Sequence, residues 1–199
     1  MKRTRPSLEK VLPYILLVGS IICLIAAFAL TYDKIQVLKT PGYKPSCNIN
    51  PILSCGSVME KPQASLFGVP NTIYGLMGYS VLLSLAALLL AGVKFPRRIW
   101  QLIEIGLAAG LLFAGYLFFQ GVFRIHAICP FCFLVWISMP PMFWYTTLYN
   151  FKQGHLKLPR LKATINFLQK HHGDVLLAWY VIFFGILLIK FWYYWSTLL

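Results

Sequence analysis

Residues 11–32 read VLPYILLVGSIICLIAAFALTY, an unbroken run without one charged side chain. A helix of about 20 apolar residues crosses the hydrocarbon core of a bilayer, so this stretch is read as a membrane span. Pro13 falls in its first turn, where a missing N–H is harmless. The basic start, Met1 to Lys10, resembles a secretory signal, but the apolar run is long and no small-residue cleavage site follows it. Working outward, four more runs of the same kind follow: 72–93, 99–122, 129–149 and 175–194. The expected fold is an all-α integral membrane protein in one domain, 1–199. A polar segment, 33–71, separates the first two spans, and a basic loop, 150–174, separates the last two.

Composition agrees. The 199 residues are 59% hydrophobic and 12% charged, with a mean hydropathy of +0.70. A soluble fold must still cover itself with polar groups, and this chain has too few. Its net charge of +13 would suggest nucleic acid in a soluble protein. Here the basic residues occupy short segments between apolar runs, where they orient helices instead. No nucleic-acid partner is expected.

With the N-terminus in the cytoplasm, the cytoplasmic segments hold Lys2, Arg3, Arg5, Lys10, Lys94, Arg97, Arg98, Lys152, Lys157, Arg160, Lys162 and Lys170, 12 of the 18 Lys and Arg residues. The opposite orientation inverts that bias, so N-in, C-out is expected. Trp192 to Trp195 then anchor the outer interface, with Lys190 snorkelling outward. Glu104 lies near the cytoplasmic end, close to Arg97 and Arg98, and is expected to pair there or be solvated at the interface.

Of five cysteines, Cys23 stands alone mid-span and reads as packing. The other four form two pairs, Cys47 with Cys55 and Cys129 with Cys132, and this topology puts all of them on the outer side, where disulfides persist. Cys129-Pro130-Phe131-Cys132 opens a helix. Three residues of helix bring the two sulfurs onto one face, and Pro130 suits the first helical position, which makes Cys129 the N-cap or its neighbour. Helix-end N–H groups lower a thiol pKa, while burial among Ile128, Phe131 and Phe133 raises it. The residues alone leave several readings open. The thiols could be inert, or the Cys47–Cys55 bond purely structural. A zinc site would have to recruit His126, whose spacing is wrong for it. Two dithiols in one compartment, one exposed and one at membrane depth, also make a relay by thiol–disulfide exchange.

The run from Cys47 through Cys55 to Met59, then Gln63-Ala-Ser-Leu-Phe-Gly68, then Pro70-Asn71-Thr-Ile-Tyr-Gly75, resembles the bacterial branch of the vitamin K epoxide reductase family. So does His126-Ala-Ile-Cys129-Pro-Phe-Cys132-Phe-Leu-Val-Trp136. The likeness covers about Pro13 to Trp144. It implies a four-helix transmembrane bundle around a quinone pocket, with a fifth helix at the C-terminus. It implies a thiol:quinone oxidoreductase in the inner (cytoplasmic) membrane that supports disulfide bond formation by reoxidising an extracytoplasmic thioredoxin-fold (DsbA-like) protein. Menaquinone or ubiquinone would be the acceptor.

Carried over, Cys47 takes the mixed disulfide with the partner and Cys55 shuttles between Cys47 and Cys129. Cys132 faces the quinone and Asn71 hydrogen-bonds a quinone carbonyl. Phe67, Tyr74 and Phe131 are candidates for the pocket wall. The shuttle is expected to require a swing of the loop that bears Cys55.

Two positions depart from the family's pattern. Lys61 stands where many members have serine, and Trp136 where vertebrate members have tyrosine. The latter puts epoxide reduction in doubt. Some bacterial members carry a fused thioredoxin-like domain after the last helix; the sequence reaches Leu199, and a separate partner is expected. Two alternatives accompany this reading: a dithiol-driven quinone or vitamin K epoxide reductase, and a non-catalytic membrane protein with structural disulfides.

Overall fold

The computed structural model describes residues 8–50, 52–66, 68–156 and 162–196. Its elements are α1 (Leu8–Lys39), α2 (Cys55–Met59), α3 (Asn71–Leu90), α4 (Arg97–Phe119), α5 (Pro130–Lys152), α6 (Lys162–Lys170), α7 (His172–Lys190) and α8 (Trp192–Trp195). A short 3-10 turn covers Pro62–Ser65, and α4 runs into a wide π turn, Gln120–Ile125. There is no strand among the described residues. Five helices, α1, α3, α4 with its π turn, α5 and α7, are long and apolar enough to cross a membrane. The protein is an all-α membrane protein.

α1 sits centrally between α3 and α5, and α5 packs on its other side against α4. α7 leans on α5 and on the π turn. The polarity is that of a fold solvated by lipid. Large apolar side chains such as Phe28, Val81, Leu112 and Ile189 point outward. Several buried side chains are polar: Ser20, Ser138, Thr146 and Asn150. A helix satisfies its own backbone, which is why helices suit this solvent. Small residues let them approach closely. A Cβ on Gly19 of α1 would lie 2.5 Å from the sulfur of Met142, a fully buried α5 side chain.

Three features differ from the sequence expectation. The first helix continues past Tyr32 to Lys39, because nothing in 33–39 breaks a helix before Pro41 and Gly42. Its 32 residues span about 48 Å at 1.5 Å per residue. Its final turns extend past the apolar run 11–32 and carry Asp33. The polar segment holds α2 and a 3-10 turn, and the basic loop holds α6. Among the described residues Glu104 pairs with no arginine. Its carboxylate accepts from the Thr147 hydroxyl at 2.5 Å and the Asn150 amide at 2.9 Å, while Arg97 Nε donates to the His155 carbonyl at 2.9 Å. Near the other end, Lys190 Nζ lies 4.7 Å from the centre of the Phe123 ring, so a cation–π contact holds its head group.

The α1–α5 crossing generates a stability prediction. Gly19→Ala forces Met142 aside and is expected to cost about 1–3 kcal/mol, the usual range for overpacking. Gly115→Ala, whose added carbon meets nothing within 4 Å, is expected to leave the midpoint of thermal unfolding in detergent unchanged or slightly raised. Equal midpoints for the two variants contradict this account of the crossing.

Candidate functional site

The polar segment folds around two asparagines. Asn50 Oδ1 accepts from the N–H groups of Ile52 and Leu53 at 3.0 and 2.7 Å. Asn48 Oδ1 accepts from the Gly56 N–H at 2.8 Å and the Ser54 hydroxyl at 3.1 Å. A Cβ at position 56 would meet the Asn48 amide nitrogen at 2.8 Å and push it from this arrangement. Ser54 then caps α2, accepting from the Ser57 N–H at 3.2 Å. These short-range bonds shape a compact loop whose two cysteines, Cys47 and Cys55, are joined by a disulfide.

A second set of bonds fastens this loop to the entrance of α5. The π turn closes on His126, which adopts the left-handed conformation at φ 57°. The chain then extends, and Leu53 and Ile128 form an isolated parallel bridge. The Ile128 N–H donates to the Ile52 carbonyl at 2.7 Å, and the Ser54 N–H donates to the Ile128 carbonyl at 3.1 Å. Residue 129 follows at once. As a result the Cys129 sulfur lies 3.3 Å from the Cys55 sulfur.

Cys129 is the N-cap of α5, with Pro130 at the first helical position and Cys132 N–H donating to its sulfur at 3.3 Å. Its thiol is held below the usual range, first by the Cys132 thiol, then by the backbone N–H groups of Cys132 and Phe131. Burial and the Asp33 charge oppose this and lose. Thiolate is the attacking form, and here it points at the sulfur of an existing disulfide.

The four sulfurs occupy three environments. Cys47 is 6% exposed and Cys55 is 0% exposed, so an external thiol reaches Cys47 first. Cys132 lies on the other side, in the wall of a cavity of about 710 Å³. That cavity lies between α3 and α4, with parts of α1 and α5 behind it. Its lining is almost entirely apolar, including Leu82, Leu107, Val135 and Met139. The size is that of a small-molecule pocket, and the lining suits a lipid-soluble guest. A smaller hollow of about 80 Å³ touches Cys55, Cys129, Cys132 and Trp136 and shares Asn71, Cys132 and Trp136 with the wall of the large one.

The remaining candidates are placed as follows. Asn71 and Tyr74 both line the large cavity. Asn71 is the first residue of α3, and Pro70 precedes it as the cap. Its amide folds back on the 3-10 turn, donating to the Gln63 carbonyl at 2.6 Å and accepting from the Leu66 N–H at 3.0 Å. Phe131 packs among the sulfurs with Met59 and Val58 and is not in the wall of the large cavity. Phe67 lies outside the described residues. Cys23 is a buried thiol in the α1 core. The described residues hold no cluster of His, Cys, Asp and Glu that could bind a metal.

Three residues with chemistry were not singled out from sequence. Asp33 lies 3.7 Å from the Cys47 sulfur. Gln63 has a buried side-chain oxygen with no partner among the described residues and lines the small hollow. Tyr79 lines the large cavity. An acid at a predicted span end was the one available hint.

Against known proteins, the model of the vitamin K epoxide reductase family matches residues 14–147, which include all four paired cysteines and the whole cavity wall. The chain belongs to that family. No curated protein matches it. Members of the vitamin K epoxide reductase family are membrane oxidoreductases that join disulfide exchange to a quinone or vitamin K epoxide. Membership makes this protein an enzyme and displaces the reading of purely structural disulfides.

The Cys129 environment can be titrated. In the reduced protein, the ultraviolet thiolate absorbance that is lost in Cys129→Ala is expected to rise at lower pH than for an ordinary thiol. Cys132→Ala removes the strongest of the lowering influences, so the onset should move upward. An onset that stays put in Cys132→Ala contradicts the assignment.

Proposed function

We propose that this protein is a thiol:quinone oxidoreductase that reoxidises an extracytoplasmic thioredoxin-fold (DsbA-like) thiol oxidase and so supports disulfide bond formation. One observation carries the reading. A continuous line of sulfur runs from Cys47, the more exposed of the loop pair, through Cys55 and Cys129, 3.3 Å apart, to Cys132 in the wall of an apolar cavity.

Electrons enter when a partner thiolate attacks Cys47. Cys55 departs and attacks Cys129 of an oxidised Cys129–Cys132 pair, and Cys132 leaves as thiolate at the cavity. The partner's second thiol then attacks its own sulfur in the mixed disulfide and frees Cys47 as thiolate, and Cys47 closes onto Cys55 with expulsion of Cys129, which restores the loop disulfide and leaves two thiols at Cys129 and Cys132. No large swing of the loop is needed, since Cys55 already stands beside both partners. A quinone, when bound, takes up the electron pair with two protons.

The cavity fits such a ligand by its apolar lining and by the few polar groups gathered near Cys132. Asn71 spends one amide hydrogen on Gln63 and retains another. That hydrogen would be offered to a ligand oxygen as negative charge develops on it, the situation in which a fixed donor contributes most. Trp136, with its ring edge on Phe118 at a centroid distance of 5.1 Å, closes the cavity beneath the sulfurs.

The basic ends support a cytoplasmic N-terminus. Lys152 Nζ is 3.7 Å from a Glu9 carboxylate oxygen, and Arg97 reaches the chain after α5. These groups gather at the end of the bundle opposite the cysteines, so the site would face outward from the inner (cytoplasmic) membrane.

The test is an anaerobic assay with purified protein, a reduced thioredoxin-fold oxidase, and menaquinone or ubiquinone followed by absorbance. Cys132→Ala is expected to reduce quinone consumption to background and to retain the partner in a mixed disulfide on Cys47. Turnover at the wild-type rate in that variant overturns the relay. Supplying a dithiol and vitamin K epoxide in place of quinone separates the alternative in which epoxide reduction is the purpose.

A further inference from the structure

Asp33 is the one acid beside the sulfurs. It is 3% exposed, on the part of α1 that extends beyond the apolar run. Its Oδ1 accepts from the Tyr43 hydroxyl at 2.8 Å, and its Oδ2 lies 3.7 Å from Cys47 Sγ. No basic side chain forms an ion pair with it among the described residues. Its neighbour Lys34 donates to the Met59 carbonyl at 2.9 Å instead. The Asp33 carboxylate also holds the Tyr43 phenol above its usual range, so that hydroxyl stays protonated and keeps donating. A carboxylate is thereby held against one sulfur of the loop disulfide.

An external thiolate can open that disulfide in two ways. Attack on Cys47 expels Cys55; attack on Cys55 expels Cys47. In thiol–disulfide exchange the rate rises as the leaving thiol becomes more acidic, and a neighbouring carboxylate makes a thiol less acidic. Cys47 is therefore the poorer leaving group.

We propose that Asp33 selects which loop sulfur departs: its carboxylate keeps Cys47 as the sulfur attacked and makes Cys55 the expelled thiolate. The step balances as an exchange. The partner's sulfur bonds to Cys47, the Cys47–Cys55 bond breaks, and its electron pair leaves on Cys55. Cys55 is the productive choice, because its sulfur lies 3.3 Å from Cys129. Expulsion of Cys47 would attach the partner to the fully buried Cys55 and block the path inward. Burial disfavours that route sterically, and Asp33 disfavours it electrostatically. Once reduced, Cys47 has the Asp33 carboxylate as acceptor for its S–H, which holds it as a thiol while Cys55 reacts.

The inference rests on the relay proposed above, and its test does not depend on quinone turnover. The ionisable groups around Cys47 are Asp33 and Tyr43 on the α1 side, Cys55 in the loop, and Cys129 and Cys132 at α5. In the fully reduced protein, the rate of Cys47 alkylation is followed against pH by peptide mass spectrometry. Asp33→Asn is expected to shift the onset to lower pH and speed alkylation at neutral pH about tenfold. Asp33→Glu should restore the wild-type profile. Tyr43→Phe strips a hydrogen bond from the carboxylate and should move the onset the other way, which keeps a reading available if Asp33→Asn does not fold. In oxidised protein challenged with a small thiol, the adduct should sit on Cys47 in the wild type and partly on Cys55 in Asp33→Asn.

A Cys47 profile identical in wild type and Asp33→Asn overturns the role of Asp33. So does Tyr43→Phe moving in the same direction as Asp33→Asn. Shifted profiles alongside a wild-type protein that reduces no quinone sink the relay instead.

Discussion

Two backbone hydrogen bonds hold the chemistry of this protein together: Ser54 N–H to the Ile128 carbonyl, and Ile128 N–H to the Ile52 carbonyl. They join segments more than seventy residues apart in the chain and set Cys55 against Cys129. Each contributes only about 0.5–1.5 kcal/mol net, so they cannot act alone. Their strength lies in what they would leave behind. Leu53, Ile52 and Ile128 pack under Phe191 and Val122, and in that apolar setting an unpaired backbone group is costly. The asparagine-built loop on one side and the capped start of α5 on the other are each shaped locally. The bridge makes them one site.

That site divides two solvents. The loop face presents Ser46, Asn48 and Ile49 outward, a surface a protein can touch. The inner face opens on a cavity with almost no polar lining, where water gains nothing and a lipid-soluble molecule does. In the proposed relay sulfur suits the crossing, because exchange between neighbouring sulfurs carries an electron pair without a polar channel. There the polarised surroundings would give the line a direction. Cys129 is favoured as thiolate first by the Cys132 thiol and then by the N–H groups at the start of α5, while Cys47 sits against the Asp33 carboxylate.

Much of this was legible before any coordinates. The apolar runs appear as spanning helices with ends displaced by a few residues, because a bilayer demands length and hydropathy that nothing else in the chain supplies. Pro130 announced the first turn of α5, and Cys129 became its cap. The end of α1 was misplaced at Tyr32 because hydropathy stops there, although helix propensity continues until Pro41 and Gly42. That error concealed Asp33 in what read as a loop. Phe131 was a candidate for the pocket wall, yet consecutive helical residues point about 100° apart, and Cys132, not Phe131, lines the cavity. Phe131 packs on the sulfurs instead. Glu104 was expected to pair with the arginines close in sequence or to be solvated at the interface, and it meets Thr147 and Asn150 from α5, since side-chain partners follow helix packing rather than chain order.

By itself the sequence determined the solvent, the helical class, the grouping of four cysteines into two close sets along the chain, and the family pattern that names the chemistry. These follow from composition and from spacings of a few residues, which local physics reads directly. Only the tertiary structure decided that Cys55 and Cys129 stand 3.3 Å apart, that Cys132 opens on a cavity, and that Asp33 lies against Cys47. Those relations depend on how α1, the loop and α5 pack. Packing is a property of surfaces assembled from distant residues, and no short stretch of chain encodes it.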